Sequence, residues 1–288
     1  MKRRLGDRKD GKLIRKIDAM HFIMPLMYPG RCDNEAFISE RIDLTNIMAY
    51  LEKKNADNPE YKYNLFQVIV TSILKLLILR PKLNRFIQNN NYYQRNDVSA
   101  SFVIKKVFAD ESEEGMAFIT GHNEDTIDAI HNEIFRQVSK TRRNENGSTE
   151  NAMDILNSIP RFLSKAAFAV LRFLDRHGWI PAPLIATDPL QASVILSNLG
   201  SIKLHSGYHH LTNWGTTSIF VVVGEMKKRP FYNEDGSYEM RMSVDLGLTV
   251  DERIADGYYY SKSIRLLRKL LENPELLERP LSEAVDFE

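Results

Sequence analysis

The sequence predicts a single mixed α/β domain, and three observations carry that prediction. The chain has 288 residues, enough to bury one substantial core. Its apolar content of 43% and charged content of 27% are those of an ordinary globular domain. The hydrophobic period switches along the chain in the order helix, hairpin, helix, then further strands and a closing helix.

Residues 1–16 form a basic arm carrying Lys2, Arg3, Arg4, Arg8, Lys9, Lys12, Arg15 and Lys16. No aromatic residue interleaves these charges, so the expectation is an arm that is solvated or draped over a neighbour, not a nucleic-acid binder. The domain proper is expected over 17–288. Thr45 is positioned to cap a helix beginning Asn46-Ile47-Met48 and stopping in the polar run from Lys53 to Pro59. From Asn64 to Leu79 the pattern is apolar nearly all round, which predicts a buried central helix, ended by Arg80-Pro81.

The period then changes. Val98 to Val107 and Met116 to Thr120 are rich in β-branched and aromatic residues and flank the polar turn from Asp110 to Gly115, which predicts a hairpin. Glu124 to Arg143 returns to helical period, with Ile127, Ile130, Ile134 and Val138 on one stripe. A polar stretch from Asn144 to Asn151 precedes an apolar helical segment over 152–178. Arg161, Lys165, Arg172 and Asp175 interrupt that segment too often for a membrane span, which wants ~20 nearly uncharged residues. Packing against the core is the better expectation for it than a place on a membrane surface, so no membrane partner is expected. Three strands follow at Ala192–Ser197, Ser218–Val223 and Met240–Val250, and a last helix at Ala255–Leu271.

Composition narrows function mainly by exclusion. A formal charge of +1 offers no global field to steer nucleic acid or anionic lipid. Cys32 is the only cysteine, which excludes intrachain disulfides and multi-cysteine metal sites. The run from Met1 to Asp7 is basic and polar without an apolar stretch behind it, so a cytoplasmic protein is expected and Asn146-Gly147-Ser148 reads as a polar turn. Glycine-rich phosphate loops and Gly-x-Ser-x-Gly elbows are absent from the sequence. His205 and His209 have helical metal-ligand spacing, but Ser206 and Gly207 between them disfavour a helix; no metal is expected. His21, His122, His131 and His177 show no matching partners and are expected to be surface or core residues.

The segment Asp251-Glu252-Arg253-Ile254-Ala255-Asp256-Gly257, followed by a helix ending Leu271-Glu272-Asn273-Pro274, closely resembles the signature of the catalytic domain of 2-oxoacid dehydrogenase acyltransferases. That signature is Asp-His-Arg, two hydrophobic residues and Asp-Gly, and chloramphenicol acetyltransferase shares its His-x-x-x-Asp-Gly core. Ser197-Asn198-Leu199-Gly200, the apolar run Ser218–Gly224 and Pro81-x-Leu83-Asn84 are similar to further family elements in the same order, from about Asp43 to Leu277. The resemblance implies a chloramphenicol acetyltransferase-like mixed sheet flanked by helices and a homotrimer with its active-site channel between subunits. It also implies acyl transfer from CoA, taken as substrate and not as a bound cofactor, to a small hydroxyl or thiol acceptor. The stretch 144–192 is longer than the family's linker and reads as a helical insertion.

One departure bears on chemistry. Glu252 stands where the family has the histidine that deprotonates the acceptor. An unperturbed glutamate sits at about 4.3 against about 6.5 for histidine, a poorer match to neutral pH. The resemblance makes Ser197 the oxyanion donor, with Asn198 beside it, and makes Asp256 and Gly257 structural, with Arg31 as the expected partner of Asp256. His209 or His210, in a segment the family runs near its interface, is expected to replace the missing base. The alternative is a family member without catalysis that serves as a ligand-binding or scaffold protein.

Overall fold

The computed structural model describes residues 4–105, 114–142 and 155–287. Its main feature is a seven-stranded mixed sheet with strands β2 (Glu35–Asp43), β5 (Val98–Lys105), β6 (Glu114–Gly121), β7 (Val194–Asn198), β8 (Ile219–Val223), β9 (Lys227–Tyr232) and β10 (Tyr238–Asp251). The order is β2-β10-β8-β7-β5-β6, with β9 pairing the first half of β10. β7 runs parallel to β5 and β8, and the remaining pairs are antiparallel. A small antiparallel sheet joins β1 (Gly11–Leu13), β4 (Asn91–Arg95) and β3 (Arg85–Gln88) in that order. This is the mixed sheet flanked by helices that the sequence implied.

The two faces of the large sheet are covered differently, and alternation in β8 shows it. Ile219, Val221 and Val223 enter the principal core, where they meet α2 (Thr45–Lys54), α3 (Leu65–Leu79), α4 (Ile127–Arg142) and α7 (Gly257–Glu272). Phe220 and Val222 point the other way into a small cluster with Ile195 and Leu211. As expected, α3 is the central helix: it begins with a reciprocal Asn64–Gln67 capping box and buries every residue from Gln67 to Leu77. Lys75 lies within that buried run and places its Nζ 2.6 Å from the Pro280 carbonyl, satisfying the one buried ammonium of the helix.

The structure corrects three local expectations. Thr45 is the first residue of α2 and not its cap; its backbone N–H and its hydroxyl both donate to Asp43, at 2.9 and 2.6 Å. The basic arm is not free, because residues 11–13 pair with β4 and Arg8 is buried against Asp10 and Asp175. The segment expected to pack in the core instead forms α5 (Arg161–Arg176) and α6 (Ala182–Thr187), following α1 (Ala19–Met27) in chain order. No apolar side chain of α5 joins either hydrophobic cluster, since the helices above and a crossing loop already cover the sheet.

Candidate active site

Three structures meet where β10 ends. The strand stops at Asp251, residues Glu252–Ile254 make one 3-10 turn, and Asp256 caps α7 by accepting the Tyr259 N–H at 2.8 Å. That bond, with Lys82 Nζ 3.8 Å away adding to it, holds the Asp256 carboxyl below the usual carboxylate range. Arg253 folds back onto the strand end and takes Asp251 in a two-pronged bond at 2.8 and 2.7 Å, while its remaining nitrogen donates to the Tyr28 carbonyl at 2.6 Å. Both residues are inaccessible to solvent, whereas Glu252 between them is exposed, its backbone N–H 3.0 Å from the Asn34 carbonyl.

Arg31 is buried at this turn, but its partner is not the one the sequence suggested. Its Nε lies 3.8 Å from Asp251, and its other nitrogens donate to the carbonyls of Thr212, Gly215 and Ile87. Asp256 lies on the exposed side of the turn and faces Lys82. Two arginines therefore share one buried carboxylate, and Asp251 is the residue that the sequence reasoning passed over. Gly257 stands in open space, where a Cβ would meet nothing within 4 Å.

The loop 199–215 straps the second face of the sheet. It leaves Asn198, whose side chain accepts the Ser201 N–H at 3.2 Å, and Gly200 packs so tightly that a Cβ there would fall 2.5 Å from the Gly224 carbonyl oxygen. Ser206 then donates to the Val222 carbonyl at 3.2 Å, and Gly207 presses on Gly247, where no Cβ would fit. Further along, the His209 ring stacks on Phe220 with centroids 4.2 Å apart, and the Leu211 N–H donates to the Glu35 carboxylate. Asn213 finally accepts from the backbone of Arg31 at 2.8 Å.

The strap delivers both predicted histidines to the Glu252 end. His209 Nδ1 lies 2.9 Å from the His210 carbonyl, and His210 Nδ1 lies 2.8 Å from the Leu211 carbonyl. A carbonyl only accepts, so in each neutral ring Nδ1 carries the proton and Nε2 is left bare, the form a base requires. A third histidine was missed. His21 Nδ1 is 2.7 Å from Asp18, and its ring centroid is 6.1 Å from that of Tyr92, whose hydroxyl donates to the Arg253 carbonyl at 3.2 Å. Expected to lack a partner, His21 has one in the residue three positions before it, at the start of α1. An open cavity of about 680 Å³ adjoins this end, walled by Arg31, Gln88, Arg172, Arg176, Trp214 and Arg253. Among the described residues, no three His, Cys, Asp or Glu side chains converge to hold a metal ion.

Ser197 is not at this end. It pairs with Val222, and Val222 with Gly247. Five residues at ~3.3 Å and two strand spacings of ~4.8 Å put Glu252 roughly 19 Å from Ser197 within one chain.

Comparison with known proteins bears on the fold and on the two motifs. Residues 184–278 match the family model described as 2-oxoacid dehydrogenases acyltransferase (catalytic domain). That span holds both Ser197–Gly200 and Asp251–Gly257, the motifs that carried the resemblance. A probable dihydrolipoamide acetyltransferase from Listeria monocytogenes superposes with a TM-score of 0.59 at 16% identity, covering 91% of this chain and 95% of that one. The cubic core of the pyruvate dehydrogenase multienzyme complex gives 0.62 at 13%, covering 92% and 94%. A chloramphenicol acetyltransferase gives 0.54 at 12%, covering 91% and 99%. The fold is that of these acyltransferases. No curated protein matches by sequence.

Proposed function

We propose that this acyltransferase-like chain transfers an acyl group from a CoA thioester to a small hydroxyl or thiol acceptor, as a homotrimer. The observation that carries the reading is the Asp251–Gly257 turn, which holds the family-like sequence between the end of β10 and the start of α7 with Glu252 exposed. In this reading a base at that end removes the acceptor proton. The freed oxygen or sulfur attacks the thioester carbonyl, CoA leaves as the thiolate, and the Ser197 hydroxyl stabilises the oxyanion of the tetrahedral intermediate.

Two requirements point to a second chain. Ser197 and Glu252 lie at opposite ends of the strands, far beyond the reach of one substrate carbonyl, so a complete site needs the two from different copies. A glutamate also serves as a base near neutral pH only in a site that excludes water, and on the single chain Glu252 is exposed. Docking a neighbour over that end supplies both. The exposed apolar side chains of α1, among them Phe22, Ile23, Leu26 and Met27, border the same turn and suit such an interface.

The same exposure favours one alternative, a family member that binds acyl-CoA without turning it over. Release of free thiol from acetyl-CoA, followed for the native protein and for Glu252→Ala and Glu252→His, tests the two readings. Native turnover that falls in Glu252→Ala supports catalysis through Glu252. Native turnover unchanged in Glu252→Ala passes the role of base to His209, His210 or His21, to be substituted singly. A silent native protein that acetyl-CoA stabilises against melting, and that Glu252→His awakens, supports the binding role.

A further inference from the structure

α5 carries an outward surface that the hydrophobic clusters do not use, and of its cations only Arg172 and Arg176 also wall the cavity beside the Glu252 end. Its packed side is Ser164, Ala167, Leu171, Leu174 and Asp175, at helical spacing. Asp175 is the only carboxylate of the helix, and it is consumed inside the protein by Arg8, by Gln88 at 2.7 Å and by Gln191 at 3.2 Å. The outward side is apolar: Phe162 is 70% exposed, Leu163 46%, Val170 58% and Phe173 53%, with Ala166 and Ala169 among them. Trp179, 58% exposed, extends the face beyond the helix end, its ring 6.0 Å from that of Phe173.

Beside this face runs a stripe of four cations. At 100° per residue Arg161, Lys165, Arg172 and Arg176 fall within one narrow sector, bordering Phe162, Ala169 and Phe173. With Asp175 buried, the exposed part of the helix bears cations and no acid. A groove of about 680 Å³ lies along the border, lined by all four cations together with Phe168 and Phe173. Apolar surface rimmed on one side by fixed positive charge and ending in an exposed tryptophan suits the boundary between lipid headgroups and acyl chains. Among the described residues no helix is long and apolar enough to cross a membrane, so the contact is one of lying on the surface.

We propose that α5 docks this protein on an anionic lipid surface, with Phe162, Leu163, Val170 and Phe173 entering the acyl boundary and the cationic stripe meeting lipid phosphates. Four cations with no exposed acid select this occupant over an isologous second copy, which would set the cationic stripe against itself; a heterologous contact with another copy is an outcome the test reads.

The test is co-sedimentation of the full chain with phosphatidylcholine vesicles, with and without phosphatidylglycerol. Sedimentation is expected with the anionic vesicles only and should weaken as salt is added. Each cation near such a surface is worth about fivefold in partition, so Arg161→Glu with Lys165→Glu should lower partition at least ~25-fold at low salt. Phe162→Asp with Phe173→Asp should abolish it while leaving the melting temperature unchanged. The proposal falls if the native protein stays in the supernatant with anionic vesicles, or sediments equally with neutral ones. It also falls if the phenylalanine variant still sediments, or if that variant changes the size of the assembly in vesicle-free solution, which would assign the face to another copy.

Discussion

Replacing Asp251 by asparagine isolates the interaction that holds the candidate active-site turn. The substitution keeps the side-chain shape and removes one charge from a fully buried group. Asp251 faces Arg253 through bonds of 2.8 and 2.7 Å and Arg31 at 3.8 Å. Both arginines are buried, at 1% and 4% exposure, so neither can recover its hydration when the carboxylate is gone. Removing one member of a buried ion pair costs ~3–5 kcal/mol, because the partner charge is left uncompensated. At ~2–4 °C per kcal/mol for a domain of about this size, the melting midpoint should fall by about 6–20 °C. Thermal melts of native protein, Asp251→Asn, Arg253→Met and the double variant form a cycle. The double variant should be more stable than the sum of the singles predicts, since Arg253→Met removes a cation that Asp251→Asn strands. A fall of less than ~3 °C for Asp251→Asn, or strict additivity in the cycle, would refute the view that this carboxylate anchors the turn. Glu252→Gln is the internal control: its side chain is exposed, and the melting midpoint should stay within about 2 °C of the native value.

Three further outcomes follow from the same geometry. Gly247→Ala drives a methyl group into the Gly207 carbonyl and should cost ~1–3 kcal/mol in denaturant titration, whereas Gly257→Ala, in open space, should stay within about 0.5 kcal/mol. Burial lowers the His131 imidazole below its ordinary value, with its ring stacked 3.8 Å from Tyr63 and Nδ1 3.2 Å from Gln67. The unfolded chain then binds the proton more readily, so stability should decline as pH falls below about 6.5 towards the lower folded value, and melts of His131→Gln against pH should lack that decline. If each site takes Ser197 from one chain and Glu252 from the next, Ser197→Ala and Glu252→Ala proteins, separately inactive, should regain about a quarter of native turnover when unfolded together and refolded as mixed trimers. Absence of any recovery, with mixed assemblies confirmed by mass, would show that one chain supplies both groups.

Much of the fold was legible because its helices bury continuous stripes and its central strands are apolar runs. α3, the β5–β6 hairpin, α4, β8, β10 and α7 all appear within a few residues of their predicted limits. The edge strand β2 escaped because it has one neighbour and one wet side: Glu35-Ala-Phe-Ile-Ser-Glu-Arg-Ile-Asp reads as polar. Its charges pair only in three dimensions, as in Arg41–Asp245, Arg241–Asp43 and Arg268–Glu40. β3 and β4 left a usable signal, since Asn89-Asn90 takes the left-handed conformation at both positions, with φ of 49° and 60°, as a two-residue hairpin turn of the I′ type requires.

The site divides in the same way. Glu252, Ser197 and Asp256 are expected from short motifs, and each sits at the end of a strand or the start of a helix where local sequence fixes the backbone. The partner of Arg31 could not be found so, since Asp251 and Asp256 are equally close to it along the chain. Only the point at which β10 stops decides which of them is buried. The resemblance implied Ser197 and Glu252 as one constellation, but the strand register sets them two strands and five residues apart. The 199–215 strap bridges that separation within a chain, carrying histidines from the serine end to the glutamate end. It does not bring Ser197 along, because that residue is fixed in β7. If Ser197 and Glu252 act together as proposed, that chemistry depends on a second copy presenting the opposite end of the sheet.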